Sequence, residues 1–139
     1  MVDEKILASI SKIIDEGPKN NDDFLKIFEY IKEISIEDAN IKKKIENLDI
    51  SVQLIIPDST GKFWLTFKEG KMDYGVGQIY EPSCTAELPT SILASLIQGE
   101  IDGPSAYMAG KIDLKGNVAD WTDIREILIE TISLLDDLI

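Results

Sequence analysis

Residues 88–121 read LPTSILASLIQGEIDGPSAYMAGKIDLKGNVADW, and the change of period within this stretch decides the fold. Pro89 suits the first turn of a helix, where its missing N–H would be unpaired in any case. A helix opening at Thr90 or Ser91 places Ile92, Leu93, Leu96 and Ile97 on one face, and Gly99 stands where a helix ends in a left-handed residue. After the break at Gly103-Pro104, Ser105 to Ala109 make one more helical turn that presents Tyr107 and Met108 together, and Gly110 ends it. Lys111, Asp113 and Lys115 then alternate with Ile112 and Leu114, as in a strand wet on one face and buried on the other. From Asn117 to Ile139 the period is helical again. Asn117, Asp120 or Thr122 starts this helix, and Trp121, Ile124, Leu128, Ile129, Ile132 and Leu135 form its apolar stripe. Its acids Asp120, Asp123, Glu126 and Glu130 come early, where the helix dipole favours negative charge.

Upstream, three runs of period two follow one another. Ile50, Val52, Leu54 and Ile56 alternate with Ser51 and Gln53, and Pro57 to Gly61 turns the chain. Phe63, Leu65 and Phe67 point one way and Lys62, Trp64, Thr66 and Lys68 the other, before a tight turn at Glu69-Gly70. Met72, Tyr74 and Val76 alternate with Asp73, Gly75 and Gly77. These runs predict an antiparallel meander with one wet face. A fourth strand places Cys84, Ala86 and Leu88 on its buried side, and Lys111 to Gly116 makes a fifth. Helices must cover the common apolar face, which gives a two-layer α+β architecture.

Residues 1–47 form a helical section of their own. Ile6, Leu7, Ile10, Ile13 and Ile14 are a stripe stopped by Gly17-Pro18. Asn21 or Asp22 caps a second helix carrying Phe24, Ile27, Phe28 and Ile31, and a third opens near Ser35 with Ile36, Ile41 and Ile45. The expected organisation is an N-terminal helical extension over 1–47 and a compact unit over 48–139.

Composition removes several functions. There are 26 acids against 14 bases, for a net charge of -12, and Arg125 is the only arginine. Such a surface repels nucleic-acid phosphates and anionic lipid. The run Lys42-Lys43-Lys44 is diluted by Glu37, Asp38 and Glu46 and reads as a solvated helix face. The chain has no histidine, so the commonest general base and metal ligand are missing. The acid pairs Asp22-Asp23, Glu37-Asp38 and Asp136-Asp137 lack calcium-loop spacing, and no metal or cofactor is expected. Gly75-Val76-Gly77 lies within a strand, where a bulge or a close neighbour explains it better than a phosphate loop. Cys84 is the single cysteine and points to the apolar side as a small hydrophobe. With no basic, then apolar leader and no apolar run of membrane-spanning length, the expectation is a soluble cytoplasmic protein.

Taken in order, Gly61-Lys62-Phe63-Trp64-Leu65, Gly70, Cys84 to Leu88, Leu93 to Gly99, Ala106 to Lys111 and Leu114-Lys115-Gly116-Asn117 resemble the sterol carrier protein 2 family over roughly residues 40–135. The resemblance implies a five-stranded mixed, mainly antiparallel sheet covered on one face by helices, with an apolar tunnel between the layers. It also implies non-catalytic binding, and transfer, of a fatty acid, acyl-CoA, sterol or other lipid; the same domain serves as an accessory part of larger enzymes. Two departures stand out: the chain is acidic where animal carriers are basic, and Asp136-Asp137-Leu138-Ile139 is no Ser-Lys-Leu-type peroxisomal address. A cavity between the layers would be lined by Leu54, Phe63, Leu65 and Met72 from strands. Leu93, Leu96, Tyr107, Met108, Trp121, Ile124 and Leu128 would complete it from helices and the loop between them. The same apolar faces would equally make a filled core, so the alternative is an interaction or enzyme-accessory module, with a homodimer through residues 1–47 covering Ile6, Ile10 and Ile13. On either reading membrane contact is at most transient.

Overall fold

Helical spacing of apolar residues sets the first third of the chain. The computed structural model describes residues 4–138, and the readings placed on Met1 to Asp3 and on Ile139 lie outside them. Helix α1 spans Glu4–Glu16, α2 Asn21–Glu37 and α3 Ala39–Ile45. The α1 stripe is covered within the chain, with Leu7 and Ile10 buried and Ile6, Ile13 and Ile14 half-buried. Asn20, one residue before the expected caps, accepts the Asp23 N–H at 2.9 Å and starts α2. Ser35 does not open a third helix. The α2 hydrogen bonding runs on until Asp38, whose extended backbone ends α2 and whose carboxylate accepts the Ile41 N–H at 3.0 Å to start α3. Ile36 therefore falls on the outer face of α2, 66% exposed.

Strands β1 (Ile50–Ile56), β2 (Gly61–Lys68) and β3 (Lys71–Val76) form the meander, and β4 (Cys84–Glu87) and β5 (Asp113–Gly116) complete the sheet. The order is β3-β2-β1-β4-β5. β1 and β4 are parallel, and every other pair is antiparallel. The register aligns Phe63, Leu54, Ala86 and Leu114 across the sheet in one row, and Tyr74, Leu65, Val52 and Cys84 in the next. Side chains in such rows share a face, because strand side chains alternate. Val76, at the end of the edge strand, stays 69% exposed.

The other face of β1 is not wet as its polar residues suggest: Ser51 and Gln53 are buried. The connection from β3 to β4 crosses beneath them. Gln53 Nε2 donates to the Gly77 and Phe63 carbonyls at 2.9 Å each, its Oε1 accepts the Ile79 N–H at 2.8 Å, and Ser83 and Ser51 exchange further bonds. Gly75 lies directly opposite Trp64, where an added Cβ would stand 2.4 Å from the indole. The close approach of a neighbouring strand thus accounts for that glycine.

Helix α4 spans Thr90–Ile97, α5 Gly103–Met108, α6 Val118–Ser133 and α7 Leu135–Leu138. Pro89 is the N-cap of α4, not its first residue, and the Thr90 N–H is taken by the Asp58 carboxylate at 2.9 Å. Gly103-Pro104 is the first turn of α5, capped by Asp102. Asn117 caps α6. The final helix is broken near Leu134, where the Tyr30 hydroxyl, from α2, bonds the Thr131 carbonyl at 2.5 Å. A continuing α-helix would offer that carbonyl to the Leu135 N–H. Ile127 and Thr131 turn inward on α6, and Ile129 is 42% exposed. No helix of the described residues is long and apolar enough to cross a membrane.

Candidate functional site

Between the sheet and the helices lies an apolar void of about 30 Å³. Its floor is Leu54, Leu65, Phe67 and Met72; α2 adds Phe28 and Ile31, and α4 adds Leu93, Leu96 and Ile97. α6 closes it with Trp121, Ile124, Ile127 and Leu128, and with part of Arg125. The strand rows and the helical stripes make this wall for the reasons that make a core: each element turns its apolar side to the other layer. The space equals roughly the volume of one water, against about 300–1,000 Å³ for pockets that hold a small-molecule ligand. The layers are therefore closed on each other.

Most residues expected at a cavity meet here, but not all. Phe63 is buried on the correct face but packs edge-on against Phe28, ring centroids 5.7 Å apart, and does not border the void. Tyr107 and Met108 do not border the void either: they are 45% and 85% exposed. Capping at Asp102 sets the phase of α5 so that Gly103 and Ala106 face inward and the aromatic-Met pair faces solvent. Phe28 and Ile31, on the apolar stripe of α2, join the wall although the sequence places that stripe in the N-terminal helical section. Phe67 follows from the alternation that gives Leu65.

Two polar groups interrupt the apolar wall. Trp121 is 7% exposed, and its Nε1–H has no hydrogen-bond partner. Arg125, one turn further along α6, borders both the void and an outer groove of about 660 Å³ between α6 and the α4–α5 link. Among the described residues no group of His, Cys, Asp or Glu could hold a metal ion. Asp123, on the same helix, has its carboxyl held above the ordinary range by partial burial and by the charges of Glu126 and Asp120. Tyr74 is likewise pushed up, first by burial and then by its 2.5 Å hydrogen bond to Glu29.

Cys84 is 1% exposed. Burial pushes its thiol from 9.0 up to about 11, with the Asp120 charge adding and the Trp121 backbone N–H opposing. The folded state keeps its proton where the unfolded chain loses it, so this residue's contribution to stability is complete below 9.0 and is lost as pH rises towards about 11. Urea midpoints should therefore fall more between pH ~8 and ~10.5 for the native sequence than for Cys84→Ala. Equal falls would remove the thiol from the account.

The fold and the site define a class: a two-layer α+β domain whose interior is apolar and whose described residues assemble no metal cluster. The sequence pattern of the SCP-2 sterol transfer family matches residues 28–128, and the chain belongs to that family. Comparison with curated proteins by sequence finds no match. Among solved structures, the UbiJ-SCP2 ubiquinone synthesis protein is 13% identical with a TM-score of 0.64, covering 76% of this chain and 87% of that one. The sterol carrier protein domain 2 of Helicoverpa armigera is 21% identical with a TM-score of 0.61, covering 76% and 87%. The sec-alkylsulfatase Pisa1 from Pseudomonas sp. is 20% identical with a TM-score of 0.58, covering 62% of this chain; the match spans only 14% of that enzyme. At these identities the likeness is one of fold.

Proposed function

We propose that this domain binds a hydrophobic small molecule with an acyl or comparable chain between its sheet and its helices, and releases it without chemical change. The observation that carries this reading is the continuous apolar wall, built from three helices and the sheet, in a member of a sterol transfer family. Because the void is about 30 Å³, uptake requires the layers to part, and α6 or the link between α4 and α5 is the element that moves. α2 belongs to the binding wall through Phe28 and Ile31. The lone buried Cys84 suits a reducing, cytoplasmic setting.

Native mass spectrometry of freshly purified protein, followed by extraction under denaturing conditions, tests the reading. A stoichiometric adduct released as a fatty acid, sterol-like or isoprenoid species supports it. A bare mass with no uptake from a lipid panel overturns it in favour of a closed-core interaction module. Leu128 is half-buried at the edge of the void, so Leu128→Trp should reduce uptake roughly fivefold to a hundredfold while the helical circular dichroism persists, given the ~1–3 kcal/mol cost of overpacking. Met108→Trp, outside the wall, should bind as the native sequence does.

A further inference from the structure

We infer that Arg125 anchors the head of the ligand, and that the domain selects a single-chain amphiphile with one negative charge, a long-chain carboxylate. This rests on the lipid-binding reading above and specifies its ligand. Arg125, Leu96 and Ile97 border both the inner void and the outer groove. The three residues therefore form the partition between an apolar interior and solvent, where the head and tail of an amphiphile would separate.

The polar groups on the inner side, Arg125 at the partition and Trp121 in the wall of the void, only donate. An arginine guanidinium and a tryptophan Nε1–H have no acceptor capacity. Among the described residues Arg125 makes no ion pair within 4.0 Å and no hydrogen bond, and the Trp121 Nε1–H is buried without a partner. Being four positions apart on α6, the two side chains lie on one helix face. Buried donors are normally satisfied, so the complementary ligand brings oxygen acceptors, and a carboxylate matches the guanidinium fork with paired bonds.

Local charge narrows the head further. Glu100 and Asp102 also border the groove. Asp102 accepts from Ser105, whose N–H and hydroxyl donate to its two oxygens at 2.7 and 2.9 Å, and these bonds, with a smaller contribution from the Arg125 charge, hold its carboxyl below the ordinary range. Charges elsewhere on the acidic surface are screened beyond roughly 8 Å at physiological salt. Glu100 and Asp102 against one guanidinium leave the groove net negative, so a single anionic head is held only by direct paired contact with Arg125, and a head carrying several phosphates is repelled. Gly103 helps to set the position of the cation: a Cβ there would lie 2.5 Å from Arg125 Cδ and 2.6 Å from Nε, so the arginine stem rests against the first turn of α5.

Calorimetric titration of the full chain with laurate and with 1-dodecanol tests this. The native sequence should bind laurate about tenfold or more tightly than the alcohol, the effect of a charge-assisted hydrogen-bonded pair. Arg125→Gln should abolish that preference by weakening laurate alone, and Arg125→Lys, which keeps the charge and loses the fork, should restore part of it; circular dichroism checks that both fold. Loss of laurate and dodecanol in equal measure, or of neither, in folded Arg125→Gln overturns the assignment of Arg125 while leaving the lipid-binding reading intact. Failure of the native sequence to take up either compound overturns both.

Discussion

Gln53→Leu should lower the free energy of unfolding by about 3 kcal/mol, through the loss of hydrogen bonds whose partners stay buried. The side chain is 5% exposed at the centre of the sheet. It satisfies the Gly77 carbonyl, the Phe63 carbonyl and the Ile79 N–H at once. Leucine fills similar space and satisfies none of them. The connection crossing the outer face of β1 would then be held mainly by Ser83 and Ser51, whose mutual bonds lie at its far end. Urea unfolding followed by circular dichroism measures the change. A loss under about 0.5 kcal/mol, the range of an ordinary surface substitution, would mean that Gln53 does not fasten the crossing.

Gly116→Ala should cost at least about 3 kcal/mol, from left-handed strain and a collision with backbone together. Gly116 has φ +89, and its added Cβ would lie 2.5 Å from the Ser83 carbonyl oxygen and 3.3 Å from Cys84 Cα. Neither atom can rotate aside as a side chain would. The same point carries the next hydrogen bond, from the Asn117 N–H to Ser83 O at 2.8 Å, immediately before α6. Displacing β5 from β4 therefore also displaces the helix that closes the void. Gly110 provides the control. It has φ +74 and nothing within 4 Å of an added Cβ, so Gly110→Ala should cost only the strain, about 1 kcal/mol. Equal losses at the two positions would remove the collision from the explanation.

The elements themselves were legible because their periods are clean. Leu54, Leu65, Met72, Leu93, Leu96, Trp121, Ile124 and Leu128 border one space, and each stood on an apolar face in its own strand or helix. What escaped the sequence depends on segments distant in the chain. Ser51 and Gln53 are polar, and only the return of residues 77–83 beneath β1 buries them. Tyr107 and Met108 lie in a six-residue helix, too short for a stripe to reveal its phase. Arg125 was conspicuous as the only arginine, yet its position at the partition follows from the approach of the α4–α5 link to α6. Sequence spacing carries no trace of that approach. Nor could alternation distinguish a filled interior from a cavity, since both need the same faces.

The strand order has a consequence for the chain during its synthesis. β1 is central, but its neighbour on one side, β4, is made about thirty residues after it. With emergence at ~5–20 residues per second, the meander can form while one side of β1 still presents unpaired backbone groups. A newly made strand reading ISVQLII is then a temporary edge, rich in β-branched residues and without charge, the kind that recruits neighbouring chains. The short sequence CTAE, arriving after the crossing, is the native segment that covers it. Crowding between nascent chains is thus resisted by the speed with which four residues reach their place.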